Sequence, residues 1–203
     1  YKLSIENEKI LQQTPIDNYA DILNDSKQIL LPTLYDFLVF RTIKSLAGEM
    51  GVISPQQKFV LNKPEYFTDV KRFVNYNIET SDSTSIEYQT ICLYQKLLKF
   101  RLSQQDNDKP ASSYALINID IDRLSYVKQN GRYPNNDALY EAALQIMMEK
   151  YAGKEGWTYP AYYLAVLYNT QGNDWKNSKN NNFRLKYKEA YALCSQIVDR
   201  YPN

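Results

Sequence analysis

The clearest hydrophobic pattern in the chain lies at residues 31–46, LPTLYDFLVFRTIKSL, between two polar segments. Its apolar side chains recur at three- and four-residue spacing and occupy more than one face, which predicts a buried helix on which other helices pack. Pro32 suits the start of this helix, Gly48 its end, and Asp36 the positive end of the helix dipole. The positions predicted to be most buried are Leu34, Phe37, Leu38 and Ile43.

Similar periodicity recurs along the rest of the chain, interrupted by short polar breaks. It predicts further helices near residues 3–13, 16–23, 64–76, 85–104, 110–127, 137–151, 160–175 and 184–201. Thr84 with Glu87 three residues later has the spacing of a capping box. Because no segment alternates between apolar and polar residues, the pattern predicts an all-α fold of about eight or nine helices.

The last two predicted helices resemble one degenerate tetratricopeptide-like repeat. The residues that match its two halves are Leu164, Ala165, Tyr168 and Gly172, and then Ala190, Ile197 and Pro202. Small residues are needed where the two helices touch, and a terminal proline stops the second helix. About a dozen extra residues separate the halves, so the broader prediction is an array of stacked helical hairpins, an α-solenoid.

The strongest linker signal is the polar segment QQDNDKP at 104–110. We predict a single helical domain over residues 1–203, with two sub-arrays, 1–105 and 110–203, as the alternative division. We also expect this chain to be a fragment of a much larger protein.

Composition narrows the function classes. The chain has 24 basic and 23 acidic residues, a formal net charge of +1, so it lacks the one-sided basic field of a nucleic-acid binder. No apolar run approaches the roughly 20 residues that span a bilayer. The predicted partner is therefore a protein or a neighbouring domain of the same chain, and neither a nucleic acid nor a membrane-spanning segment is expected.

Histidine is absent, which removes the commonest general base near neutral pH and the commonest metal ligand. Cys92 and Cys194 show no metal-binding spacing, and two buried thiols are a more economical interpretation than a disulfide. Asp120 and Asp122 lie two positions apart, so on a helix they point to different faces, and a solvated pair is predicted. We therefore predict no catalytic residue, no metal site and no cofactor.

Aromatic side chains are the best candidates for a binding function. Four of them crowd the start of the repeat-like pair, and they are Trp157, Tyr159, Tyr162 and Tyr163. Aromatic faces with polar tips can stack on sugars or anchor peptides. Their three- and four-residue spacing also suits a helix core, and packing is the interpretation that the spacing favours.

Several segments together resemble the amino-terminal region of very large bacterial alpha-2-macroglobulin-like proteins. The segments are LPTLYDFLVFRTI (31–43), LYQKLLKFRLSQQD (93–106), DIDRLSYV (120–127), YYLAVLYNTQG (162–172) and CSQIVDRYP (194–202). The resemblance covers nearly the whole chain, and the proline-led first segment carries most of it.

The resemblance implies a helical leader of an extracytoplasmic protein, in the periplasm or at the cell surface, whose parent function is the entrapment of proteases. Some members of that family carry a Cys-x-Glu-Gln thioester. Here Cys92 is followed by Leu-Tyr-Gln and Cys194 by Ser-Gln-Ile, so no thioester residue carries over. The expected function is a non-catalytic scaffold or protein-interaction module. The alternative is a stand-alone helical-repeat binding protein whose Tyr/Trp platform takes a glycan or a peptide.

Overall fold

The chain packs as two compact units, Tyr1–Arg132 and Tyr133–Asn203. The computed structural model describes residues 7–19, 21, 30–49, 59–104, 110–179 and 181–201. The boundary between the units falls in the turn-rich segment 129–136 and not at the linker 104–110, where the alternative division was predicted. The reason is that the helix after the linker packs back against the helix before it. Residues 105–109 of that linker lie outside the described residues.

Five α-helices lie in the described part of the first unit. They are α1 (Glu8–Gln13), α2 (Leu34–Glu49), α3 (Val70–Asn75), α4 (Ile86–Ser103) and α5 (Pro110–Asn130), with 3₁₀-helices at Ile16–Tyr19 and Pro64–Phe67. Helix α4 is central, because α2, α3 and α5 all pack against it.

Three α-helices lie in the described part of the second unit. They are α6 (Asn136–Lys150), α7 (Thr158–Ser178) and α8 (Lys186–Arg200), with 3₁₀-helices at Glu155–Trp157 and Asn181–Phe183. Helix α7 is central here, since it packs against both α6 and α8.

The secondary structure confirms the predicted all-α class. The described ranges contain eight α-helices and no β-strand, apart from one isolated bridge between Pro15 and Thr33. This number agrees with the predicted eight or nine. The stacking of hairpins into a solenoid stays a prediction.

Helix α2 forms at the predicted place but buries a different set of residues. Its buried side chains are Tyr35, Asp36, Val39 and Ile43. Of the four predicted positions only Ile43 is buried, whereas Leu34, Phe37 and Leu38 are half-buried. Because apolar residues occupy several faces of this helix, its periodicity could not identify which face turns inward. The buried face is the one whose aspartate finds a charged partner.

Side-chain caps mark the beginning of α3 and α4. Asp69 caps α3 by accepting from the backbone N–H groups of Lys71 and Arg72, at 3.1 and 3.3 Å. Helix α4 is capped by Ser85, one residue after the predicted Thr84, and its Oγ accepts from the Tyr88 N–H at 3.4 Å. These bonds satisfy donors that the first turn leaves without intrahelical partners.

Each unit has its own apolar core. The core of the first unit includes the buried residues Val39, Ile43, Phe73, Ile91, Leu97, Leu98, Leu116, Ile117 and Leu124. The core of the second unit includes Tyr140, Leu144, Met147, Ala161, Leu164, Leu167 and Ala190. Both cores follow from the three- and four-residue spacing of apolar side chains on the helices that contribute them.

Candidate functional site

A buried ion pair joins α2 to α4. Arg101 Nε lies 2.9 Å from Asp36 Oδ1, and both side chains are almost fully excluded from solvent. Asp36 Oδ2 also accepts from the Thr33 N–H at 2.9 Å and from the Thr33 hydroxyl at 2.6 Å. The Asp36 N–H donates back to Thr33 Oγ1 at 3.3 Å, so the two residues form a reciprocal cap at the start of α2.

Burial dominates the electrostatics of this pair. It raises the pKa of Asp36 above its ordinary value, against the opposing effects of the Arg101 charge and the Thr33 hydrogen bonds. Burial likewise lowers the pKa of Arg101, against the opposing charge of Asp36. The prediction that Asp36 serves only the helix dipole was therefore incomplete, because its carboxylate also fixes α2 against α4.

A second buried ion pair anchors α5. Arg123 Nε donates to Asp120 Oδ1 at 3.0 Å, and its terminal nitrogens donate to the carbonyls of Tyr66 and Thr68, the latter at 3.1 Å. The guanidinium also lies over the Phe73 ring, 4.5 Å from the centroid. Asp120 and Arg123 are thus a structural device that ties α5 to the segment around the Pro64–Phe67 helix.

Asp122 lies on another face of α5, as the spacing predicted, but it is not solvated as expected. It is half-buried and accepts a 2.6 Å hydrogen bond from the Tyr94 hydroxyl, and it is ion-paired with Lys44. Burial, with a further contribution from Asp122, raises the pKa of Tyr94 above its ordinary value. The prediction of a solvated aspartate pair was wrong, because α5 packs in the interior of its unit and both carboxylates find partners there.

A third polar cluster links the three helices of the second unit. Glu141 Oε1 accepts from the Tyr168 hydroxyl at 2.7 Å and from Lys186 Nζ at 3.3 Å. The Lys186 ammonium lies 3.7 Å from the centroid of the Tyr168 ring and 3.0 Å from Glu189 Oε2. Burial, followed by the bond to Glu141, raises the pKa of Tyr168. The cluster joins α6, α7 and α8.

The structure separates the four aromatic candidates. Trp157 is buried, and the Arg200 guanidinium lies 4.4 Å from its ring centroid. Tyr159 is half-buried. Tyr162 and Tyr163 are exposed and form an edge-to-face pair, with ring centroids 5.5 Å apart at 87°. Only these two neighbouring tyrosines are brought together at the surface.

A stripe of exposed, uncharged side chains runs along α8. Its members recur at positions 187, 191, 194 and 198, which places them on one face of the helix. Tyr191 is 76% exposed and Val198 65% exposed. Cys194, predicted to be buried, is an exposed free thiol in the middle of this stripe, and Cys92 is a half-buried free thiol. The less exposed side of α8 carries Ala190, Leu193 and Ile197.

A hydrogen bond shows that this stripe adjoins an exposed apolar stripe on α7. The Tyr187 hydroxyl donates to Asn173 Oδ1, and the Tyr187 ring lies directly over Gly172. Asn173 follows Tyr162 and Val166 by eleven and seven residues, so the three share one face of α7. The two stripes therefore form one surface, called here the α7/α8 face, whose exposed members are Tyr162, Val166, Asn173, Tyr187, Tyr191, Cys194 and Val198.

No member of the α7/α8 face carries a charge, and three of them are tyrosines. Interface centres are likewise depleted in charged residues and enriched in tyrosine. Sequence reasoning missed the α8 stripe, although its spacing was visible, because Ala190 and Ile197 already accounted for one apolar side of the helix. The stripe and the less exposed residues lie next to each other around the helix, and an apolar side this broad has more to bury than one neighbour can cover.

Compared with known proteins, the chain matches no family model, no curated protein and no solved structure. Of the helices that the structure describes, none combines the length and the apolar character needed to cross a bilayer. No three acidic or cysteine side chains among the described residues lie close enough together to hold a metal ion.

Proposed function

We propose that this chain is a non-catalytic helical scaffold whose α7/α8 face docks a protein partner or a neighbouring domain. The observation that carries the proposal is the exposure of five uncharged side chains, which are Tyr162, Val166, Tyr187, Tyr191 and Val198, on two adjoining helices. Exposed apolar surfaces of this kind, framed by polar residues, mark interaction sites in water-soluble domains.

The use of the buried charges supports a scaffold. The pair of Asp36 and Arg101 joins α2 to α4, and the Asp120–Arg123 pair lies within α5, which Arg123 holds to neighbouring backbone carbonyls. Such pairs position helices, and the four charged side chains that form them are engaged in holding the fold.

The proposed setting is the amino-terminal region of an extracytoplasmic alpha-2-macroglobulin-like protein, whose parent function is protease entrapment. The resemblance of segment 31–43 and of the four other segments supports it. The open reading frame on both sides of this chain tests the setting. We expect a secretion signal upstream and a long β-rich continuation downstream, and a reading frame without them would contradict it.

Site-specific photo-crosslinking tests the docking surface in the native protein. A photoreactive amino acid at position 191 should give crosslinks to a partner or to another domain, and mass spectrometry identifies the crosslinked peptide. The matched control is position 149, which is exposed on α6 outside the α7/α8 face. Equal crosslinking at positions 191 and 149 would show that the face docks nothing.

A second candidate function is a glycan- or peptide-binding platform, and the exposed edge-to-face pair of Tyr162 and Tyr163 favours it. Isothermal titration with neutral oligosaccharides and with tyrosine- or proline-rich peptides tests this candidate. Binding that is lost in Tyr162→Ala/Tyr163→Ala but retained in Tyr191→Ala would support the platform. Binding that is unchanged in the double variant would exclude it.

A further inference from the structure

We propose that the partner of the α7/α8 face is a second copy of this chain, with the two α8 helices packed antiparallel about a two-fold axis. The inference rests on the proposed function, since it names the partner of the same surface. A two-fold interface brings one surface patch against itself, so that patch must be self-complementary. The α8 stripe meets this requirement through the sizes of its side chains and through the charges that lie beside it.

The sizes of the side chains are complementary when the stripe is reversed. The bulky Tyr187 and Tyr191 occupy its first half, and the smaller Cys194 and Val198 occupy its second half. With the axis between residues 192 and 193, Tyr187 lies level with the second copy's Val198, and Tyr191 with the second copy's Cys194. The spacing of four, three and four residues is that of a helix seam, which allows such layers to interdigitate. Parallel pairing would instead place tyrosine on tyrosine.

The charges beside the stripe are also self-complementary. Lys188 and Asp199 are exposed on the same flank of α8, near its opposite ends, and neither makes an ion pair with another described residue. In the antiparallel arrangement Lys188 lies level with residue 197 of the second copy, two positions from Asp199. At 1.5 Å per residue, the offset between Lys188 and Asp199 of the second copy is about 3 Å along the helix axis, which a lysine side chain can reach. The two-fold axis produces this contact twice.

Val166 and Tyr162 of α7 extend the apolar surface beside the seam. Val166 is 45% exposed and Tyr162 is 56% exposed, and Tyr187 links their face to α8 through Asn173. Burying them together with the α8 stripe would remove five exposed large apolar side chains of the second unit from water. We expect a modest affinity, roughly micromolar, because two helix faces bury less area than a standard-size interface.

Sedimentation equilibrium of the 203-residue chain over a range of concentrations tests association. We expect a monomer–dimer equilibrium that Tyr191→Asp weakens by at least about tenfold, since a charge would enter the apolar seam. Ile146→Asp is the matched control. Ile146 is exposed on α6, so this substitution also introduces an acidic side chain at an exposed apolar position, but outside the proposed interface. Circular dichroism should show that both variants keep the helical content of the parent chain.

Charge exchange tests the antiparallel arrangement itself. Lys188→Asp and Asp199→Lys should each weaken the dimer by about three- to tenfold, because each places like charges opposite each other. The double variant should recover the parent dissociation constant to within about twofold. If the double variant is as weak as the single ones, the antiparallel register is wrong.

A thiol crosslink gives the geometric test. In the proposed dimer the two Cys194 residues lie about 4.5 Å apart along the helix axis. A short bismaleimide should therefore join them in a Cys92→Ser chain, in which Cys194 is the one remaining thiol. No crosslink is expected in Tyr191→Asp. A chain that stays monomeric at every concentration and gives no crosslink overturns this inference. Crosslinks from position 191 to a different protein or domain would then still support the proposed function.

Discussion

Four charged side chains are buried among the described residues of the first unit, and each is paired. Asp36 contacts Arg101, and Asp120 contacts Arg123. A buried ion pair contributes little net stability, because desolvation offsets most of the attraction, but a buried charge without its partner is costly. Sequence reasoning assigned Asp36 only to the helix dipole, since no local pattern shows that an arginine 65 positions later will reach it.

Removal of the arginine from the first pair should be strongly destabilising. We expect Arg101→Met to lower the free energy of unfolding by about 3–5 kcal/mol at neutral pH, because Asp36 would remain buried without a counter-ion. The double variant Asp36→Asn/Arg101→Met should recover most of this loss. Urea denaturation monitored by circular dichroism measures both. Equal stability of the single and double variants would contradict the pairing.

The same pair predicts a pH dependence with a definite sign. Burial raises the pKa of Asp36 in the folded chain, so between the ordinary and the raised pKa the folded state binds more protons than the unfolded state. The contribution of Asp36 to the free energy of unfolding is fully present below its ordinary pKa, and it is lost as the pH rises through the raised pKa. Arg101→Met removes the opposing charge, so its destabilisation should be larger at neutral than at acidic pH. Denaturation of both chains at two pH values tests this, and an opposite trend would contradict it.

At the scale of the element, α2 shows that predicting a helix does not predict which of its faces is buried. The spacing of apolar residues predicted the helix, but Tyr35, Val39 and Ile43 turn inward and Phe37 lies half-buried with the Arg41 guanidinium 5.9 Å from its ring. Several faces of α2 are apolar enough to be buried. Packing against α4 and the position of Arg101 select one of them.

Truncations along α2 should follow this orientation. Ile43→Ala should cost about 2–5 kcal/mol, because Ile43 is fully buried and the change leaves a cavity. Phe37→Ala should cost about 1–2 kcal/mol, since a half-buried ring loses only part of its transfer free energy. Thermal and chemical denaturation of the two variants provide the measurement. A larger loss for Phe37→Ala would mean that α2 is rotated from the orientation described.

The crossing of α7 and α8 depends on a glycine. A β-carbon at Gly172 would lie 2.9 Å from the ring of Tyr187. The ring cannot withdraw without losing the hydrogen bond from its hydroxyl to Asn173. This close approach accounts for the small residue at the position where the repeat-like pattern has Gly172.

A double-mutant cycle tests the crossing. Alanine improves helix propensity over glycine by about 1 kcal/mol, so Gly172→Ala would stabilise α7 if nothing opposed it. With Tyr187 present we expect a net loss of about 1 kcal/mol, because overpacking costs more than the gain in propensity. In a Tyr187→Ala chain the same change should stabilise by about 1 kcal/mol. Denaturation of the four chains gives the coupling energy, and an absence of coupling would contradict the contact.

At the scale of the whole molecule, the two units divide after Arg132. The polar linker 104–110 is the stronger break in sequence, yet α4 and α5 on either side of it pack together through Tyr94 and Asp122. A linker marks where a chain can turn. Side-chain contacts decide whether the turn separates two domains or closes a hairpin.

Fragments distinguish the two boundaries. The fragment 133–203 should fold alone, with helical circular dichroism and a cooperative thermal transition, because α6, α7 and α8 contact one another. The fragment 110–203 should instead aggregate or unfold broadly, since α5 would expose Leu116, Ile117 and Leu124. Cooperative folding of both fragments would show that α5 does not need α4.

The sequence by itself determined the all-α class and the approximate positions of most helices, because periodicity is a local property of neighbouring side chains. It also indicated Gly172 as a contact between helices. Only the tertiary structure decided the buried face of α2, the pairing of Asp36 with Arg101, the burial of Trp157 and the α7/α8 face. Each of these depends on residues far apart in the chain, and such contacts leave no periodic signal in the sequence.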